Sequence, residues 1–214
     1  MEKLNGITLE KEPVTIRDKR IVVVKPAKLE EIFKGDPFLN VESFPFWFKI
    51  WEASVVLADY IATVPPKKKI LEVGAGLGVP SLVAALQGHE VTATEYDPLP
   101  LKFLELSAKE NGLSLNTKLL DWRKPELDEK FDIIMGAEVV FKKSLFSPLI
   151  ELFKNYLKDD GEVLIAHSSD RKRVLVPFLY YAQEHFDVLT SIRKLRSDTE
   201  TVEVILNKLV FKKN

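Results

Sequence analysis

Residues Ile70 to Gly78 read ILEVGAGLG, an apolar run that passes into a glycine-rich turn with one carboxylate, Glu72, just ahead of it. Glycine lacks a Cβ, so such a turn can bend sharply and let a ligand lie against the backbone. The dinucleotide pattern G-x-G-x-x-G fails here. Counting from Gly74, the second glycine is Gly76, but Val79 stands where the third belongs. The spacing is instead Gly74, Gly76, Gly78.

The carboxylate narrows the choice of ligand. With Glu72 turned toward the ligand side, a pyrophosphate would be repelled, whereas S-adenosylmethionine carries a sulfonium and an ammonium and no phosphate. A second acid, Glu95, ends the next apolar run, His89 to Glu95 (HEVTATE), about 20 residues after the turn, where open α/β folds place the acid that holds the ribose hydroxyls. Tyr96 follows and is placed against the adenine. Asp97 and Pro98 then read as an N-cap and a first helical residue.

Composition bounds the alternatives. A chain of 214 residues suits one α/β domain with decoration. Lys and Arg number 31 and Asp and Glu 32, and the resulting net charge of -1 gives no general attraction to nucleic acid. The absence of cysteine removes disulfides, thiolate metal sites and the nucleophile that cytosine C5-methylation requires. No apolar signal core opens the chain and no run approaches a membrane span, so a cytoplasmic monomer with no membrane contact and no metal is expected.

Along the chain, Val14 to Ile16 and Arg20 to Val24 predict a hairpin about Asp18-Lys19, and Lys28 to Lys34 a short helix before the Gly35-Asp36-Pro37 break. The aromatic segment Phe44 to Phe48 leads to a helical pattern from Trp51 to Ile61 that Pro65-Pro66 stops. From Lys69 onward, strands and helices alternate as a parallel sheet requires. Strands are predicted at Lys69 to Val73, Glu90 to Glu95, Asn116 to Asp121, Phe131 to Ala137 and Glu162 to His167. Helices are predicted at Val79 to Gln87, Pro98 to Asn111 and Ser144 to Leu157, with one more around Pro177. Two closing strands, Val188 to Leu195 and Thr201 to Phe211, read as antiparallel about Arg196 to Glu200. The expected fold is a Rossmann-like, doubly wound, mostly parallel seven-stranded sheet with a C-terminal antiparallel strand pair. The expected division is an N-terminal hairpin and helix extension over 1–45 and the cofactor-binding α/β domain over 46–214.

Ligands of such sheets lie over the carboxyl ends of the strands. Asp121 and Trp122 stand at one such end, the first able to accept a hydrogen bond from the adenine amine and the second to pack beside the ring. At the next stand Gly136-Ala137-Glu138, with Ala137 expected against the cofactor and Glu138 facing the transferable methyl group. Among the three histidines, His89 and His185 read as structural or solvent-facing, while His167 ends a strand near the cleft as a candidate base or substrate contact.

Taken together, the segments FWFKIWEASVVLADYIA, ILEVGAGLGVPSLVAA, TATEYD, Asp121-Trp122 and FDIIMGAEVVF resemble the seven-strand lysine methyltransferases often called methyltransferase family 16, over about Phe46 to Phe211. Where that family usually has Asp-x-x-Tyr, this chain has Glu138-Val139-Val140-Phe141 and lacks the phenol hydroxyl. The resemblance also implies that Trp51 lies close to the cofactor. It leads to the expectation of S-adenosylmethionine-dependent N-methylation of a protein lysine, with Glu138 as the catalytic residue. A small amine as acceptor and a non-catalytic binding module are the alternatives.

Overall fold

The computed structural model describes residues 2–36, 38–196 and 201–213. Its centre is a sheet of seven strands. In chain order these are β4 (Lys69–Val73), β5 (Glu90–Glu95), β6 (Asn116–Leu119), β7 (Phe131–Ala137), β8 (Leu157–Ser168), β9 (Phe186–Arg196) and β10 (Thr201–Phe211). The strands lie in the order β6-β5-β4-β7-β8-β10-β9, with β10 antiparallel to both of its neighbours and the remaining pairs parallel. The strand order reverses between β4 and β7, which opens a crevice beyond their carboxyl ends.

Helices α1 (Glu52–Ile61), α2 (Val79–Leu86), α3 (Pro98–Glu110), α4 (Phe146–Tyr156) and α5 (Lys172–Ala182) cover the sheet. The pleat decides which residues meet which helix. Ile133 and Met135 of β7 share a core with Val56, Leu57 and Ile61 of α1, while Ile134 between them packs with Leu149 and Phe153 of α4 and Leu175 and Phe178 of α5. Burial on both faces is why apolar residues stand side by side in β4, with Ile70 next to Leu71, instead of alternating with exposed polar ones.

Before α1 stand β1 (Lys3–Leu4), β2 (Ile7–Ile16) and β3 (Lys19–Pro26), a separate antiparallel sheet. The hairpin exceeds its predicted length, and its turn is Arg17-Asp18, with Arg17 at φ 56°. It is fastened to α3: Asn111 accepts from the Val22 amide at 2.8 Å and donates to the Val22 carbonyl at 2.7 Å, and the Ser107 hydroxyl accepts from the Val24 amide. Ile21, Val23 and Val24 share a core with Leu82, Phe103 and Leu104.

Several boundaries move. The helix expected over Lys28 to Lys34 is a single 3-10 turn, Leu29–Glu31. Here Glu31 is drawn off to bind the Thr8 amide and hydroxyl, at 2.6 and 2.8 Å. The strand expected to reach Asp121 ends at Leu119, after which the Leu120 amide still donates to the Glu95 carbonyl. The helix expected from Ser144 opens as a 3-10 turn, Lys143–Leu145, and α4 begins at Phe146. β8 begins at Leu157, five residues ahead of its expected start at Glu162. Pro177 lies inside α5. The turn expected at Arg196 to Glu200 falls mostly outside the described residues. No helix among the described residues is long and apolar enough to cross a membrane.

Candidate active site

A cleft of about 730 Å³ lies over the carboxyl ends of β4, β5 and β7, roofed on one side by the segment from Val41 to Trp51. All ten residues predicted for the site line it: Trp51, Glu72, Gly74, Gly76, Glu95, Tyr96, Asp121, Trp122, Ala137 and Glu138.

The glycine turn forms its floor. Gly74, Gly76 and Gly78 have φ of 63°, 55° and 69°, the left-handed region that L side chains rarely adopt. The space around them is also restricted. A Cβ on Gly74 would come within 3.2 Å of the Trp122 ring, and one on Gly78 within 2.4 Å of Leu104 on α3. Gly78 therefore sets how closely the turn packs on the helix, while Gly74 leaves room at the cleft wall.

Glu72 corrects one expectation. Its carboxylate does not present an open charge to the ligand, because it is buried beneath the turn and accepts hydrogen bonds from the Ser81 amide, at 3.0 Å, and the Ser81 hydroxyl. Burial pushes its pKa up to about 8, against the lowering effect of the Ser81 bonds. The raised pKa favours the protonated carboxyl at neutral pH, and a cation beside it would favour release of that proton.

Glu95, at the end of β5, is fixed by two backbone amides, Gly76 at 2.8 Å and Tyr96 at 2.9 Å. An ionised carboxylate has further acceptor positions, so these bonds orient it without exhausting it. Burial raises its pKa, opposed by these same bonds. Tyr96 stands at the rim, 73% exposed. Asp97 caps α3, accepting from the Leu99 amide at 2.8 Å, as its position before Pro98 predicts.

On the opposite wall Asp121 accepts from the Arg123 amide at 2.9 Å, and Trp122 lies with its ring centre 6.4 Å from that of Phe141. Trp51 precedes α1 and donates its indole N–H to the Phe46 carbonyl at 2.7 Å. That bond joins the aromatic segment to the start of α1.

Glu138 follows β7 with φ 57°, an unusual conformation for a side chain of its size. The Glu138 amide donates to the Ala166 carbonyl at 2.9 Å, and Oε1 accepts from the Ser168 amide at 2.6 Å. Oε2 is buried without a hydrogen-bond partner among the described residues, with the Arg171 guanidinium 3.5 Å away. Burial raises the Glu138 pKa, offset by the Ser168 amide and by Arg171.

His167 is corrected from candidate base to scaffold. It is fully buried, and Nε2 accepts from the Val140 amide at 2.9 Å, which shapes the loop after Glu138. Burial pushes its pKa down to about 3, so it stays neutral. His89 is likewise buried, with Nδ1 accepting from the Lys68 amide at 3.2 Å.

The sequence reading missed Ser81, Trp47, Ile50 and Arg171. The dense aromatics from Phe44 to Phe48 were the available signal for Trp47. Nothing local marked Ser81 or Arg171, which reach the site only through folding.

Residues 46–191 match the family described as lysine methyltransferase. The protein N-lysine methyltransferase METTL21A of Xenopus tropicalis is 29% identical over 149 residues, covering 65% of this chain and 68% of its own. The protein N-terminal and lysine N-methyltransferase EFM7 of Candida albicans is 28% identical over 192 residues, covering 77% of this chain and 71% of its own. Among solved structures, a TehB-like S-adenosylmethionine-dependent methyltransferase from Corynebacterium glutamicum superposes with a TM-score of 0.59 at 22% identity, over 77% of this chain and 89% of that one, a likeness of fold. With a family match over more than half its length, this chain belongs to the lysine methyltransferase family and is an S-adenosylmethionine-dependent methyltransferase.

Proposed function

We propose that the enzyme methylates nitrogen, with a lysine of a protein as the acceptor. The observation that carries this reading is Glu138 Oε2, a buried carboxylate oxygen at the cleft without a hydrogen-bond partner among the described residues. The Arg171 guanidinium 3.5 Å away balances its charge without a hydrogen bond, and an amine N–H would supply the missing donor. The family match and the lysine methyltransferases among the relatives support the same acceptor.

When bound, S-adenosylmethionine supplies a methyl group made electrophilic by its positively charged sulfur. In this reading Glu95 holds the ribose hydroxyls, Asp121 accepts from the adenine amine, and Tyr96 and Trp122 pack beside the adenine. Gly74 and Gly76 allow close approach of the backbone, Glu72 beneath the turn gives up its proton when the cationic end of the donor lies above it, and Trp51 and Ala137 border the donor. A lysine ammonium has no lone pair, and its ordinary pKa of about 10.4 means that a proton must leave before attack. Glu138 orients the nitrogen through Oε2 and receives that proton, while the rest of the cleft aligns nitrogen, methyl and sulfur. The reading is completed by a monomer acting in the cytoplasm.

The test is incubation of the purified enzyme and labelled donor with lysate from a strain lacking the gene. Label in a protein, at a lysine, is the expected result; label confined to small molecules rejects the protein acceptor. With the acceptor in hand, Glu138→Gln should lower the rate about tenfold to a thousandfold with donor affinity nearly unchanged. Loss of donor affinity in the same proportion would make Glu138 a cofactor ligand instead. Phe141→Tyr, which restores the hydroxyl usual in the family, should speed turnover on lysine.

A further inference from the structure

We propose that the acceptor side of the cleft rim is a docking surface for an acidic segment of the substrate protein, flanking the nitrogen to be methylated. The identity of that nitrogen rests on the lysine reading above. Lys142 and Arg171 line the cleft beside Glu138, and the adjoining Lys143, Lys172 and Arg173 are exposed. Besides Glu138 itself, Glu52 and Asp170 are the acids whose charge reaches the Glu138 carboxylate. Among the described residues, Glu52 is paired with Lys49 and Glu138 lies beside Arg171, while Lys142, Lys143, Lys172 and Arg173 have no acidic partner.

The backbone adds to the imbalance. Lys142 and Lys143 stand just ahead of α4, and Lys172 and Arg173 open α5, while neither helix has an acid in its first turn. A helix N-terminus already carries about half a positive charge, so helix stability favours acids at these positions. Cations there do not help the helices, and the two positive helix ends and the side chains reinforce one another.

A lysine ammonium approaching alone would therefore meet like charge. Glutamates or aspartates beside it reverse the sign of the encounter and steer the segment to the rim. Phe141, 50% exposed, and Phe46, 44% exposed, add apolar contact on the same mouth for side chains of that segment, while the net charge of -1 gives no general attraction to a nucleic-acid backbone.

The experiment compares short peptides with a central lysine flanked by glutamates, serines or lysines, and a glutamate-flanked peptide with norleucine in place of the lysine. Binding is read by fluorescence anisotropy and methylation by transfer from labelled donor. The glutamate-flanked peptides should bind at least about tenfold more tightly than the serine-flanked one at low salt, with the advantage shrinking as salt rises. Combining Lys143→Glu, Lys172→Glu and Arg173→Glu should abolish that advantage while donor affinity is kept. Equal binding whatever the flanks, an unchanged advantage in the triple variant, or tighter binding of single-stranded oligouridine than of the glutamate peptide would each overturn the proposal. Binding of the glutamate and norleucine peptides without methylation of any lysine peptide supports the docking surface and counts against lysine as acceptor. Methylation at equal rate and affinity across all flanks does the reverse.

Discussion

The Glu95 carboxylate accepts a hydrogen bond from the Gly76 amide at 2.8 Å, so the acid that ends β5 is tied directly to the glycine turn that follows β4. Two segments that look independent in the sequence thus form one structural unit. The glycine supplies a backbone donor in a conformation few residues tolerate, and the acid fixes it while keeping acceptor positions for a ligand.

Glu95→Ala should therefore act twice, removing the ribose contact and releasing the Gly76 amide. We expect a loss of about 1.5 to 3 kcal/mol in donor affinity with the fold retained, measured by calorimetry. NAD should not bind to either protein. An affinity matching the parent's would place the ribose elsewhere.

Glu72 makes the donor-free protein sensitive to alkali. A carboxyl whose folded pKa is raised from about 4.5 to about 8 binds its proton more tightly folded than unfolded, so its contribution falls as pH rises through that window. Glu72→Gln keeps an acceptor for Ser81 and should raise the stability of the donor-free protein above about pH 5, by an amount that grows to a few kcal/mol near pH 8. Donor affinity should fall in the same variant. Thermal melts across pH, with and without donor, check both parts.

His167 acts in the opposite direction. Its folded pKa, near 3, lies below the ordinary 6.5, so its contribution to stability is complete above about pH 6.5 and is lost as pH falls toward 3. The slope from this one group is ~1.4 kcal/mol per pH unit. His167→Ala should abolish that slope, leave the Val140 amide unpaired and lower stability at pH 7 by about 1 to 3 kcal/mol. Urea melts at several pH values measure it, and an unaltered acid limb would disprove the assignment.

Gly78 is the turn position with the least room. Gly78→Ala adds a Cβ 2.4 Å from Leu104 at a φ of 69°, and we expect a loss of about 1 to 3 kcal/mol. Pairing it with Leu104→Ala removes the clash but not the backbone strain. The double variant should therefore lose less than the sum of the two single losses, which chemical denaturation can resolve.

The sequence by itself determined the parallel sheet, the glycine turn and the acids at the strand ends, because each depends on local chemistry: apolar runs buried on both faces, glycines at positive φ, and Asp97 capping α3 ahead of Pro98. The helix expected at Lys28 to Lys34 was not legible as a turn, since Thr8 on a separate strand captures Glu31. Folding alone decided the protonation of Glu72, the neutral scaffold role of His167 and the meeting of Arg171 with Glu138. Those properties come from desolvation and from partners far away in the chain: Ser81 lies 9 residues from Glu72, Val140 27 from His167 and Ser168 30 from Glu138. Residue type indicates which groups can titrate, donate or accept. Only the packed tertiary structure sets how much water each keeps and which charge stands beside it, and those two quantities determine its chemistry.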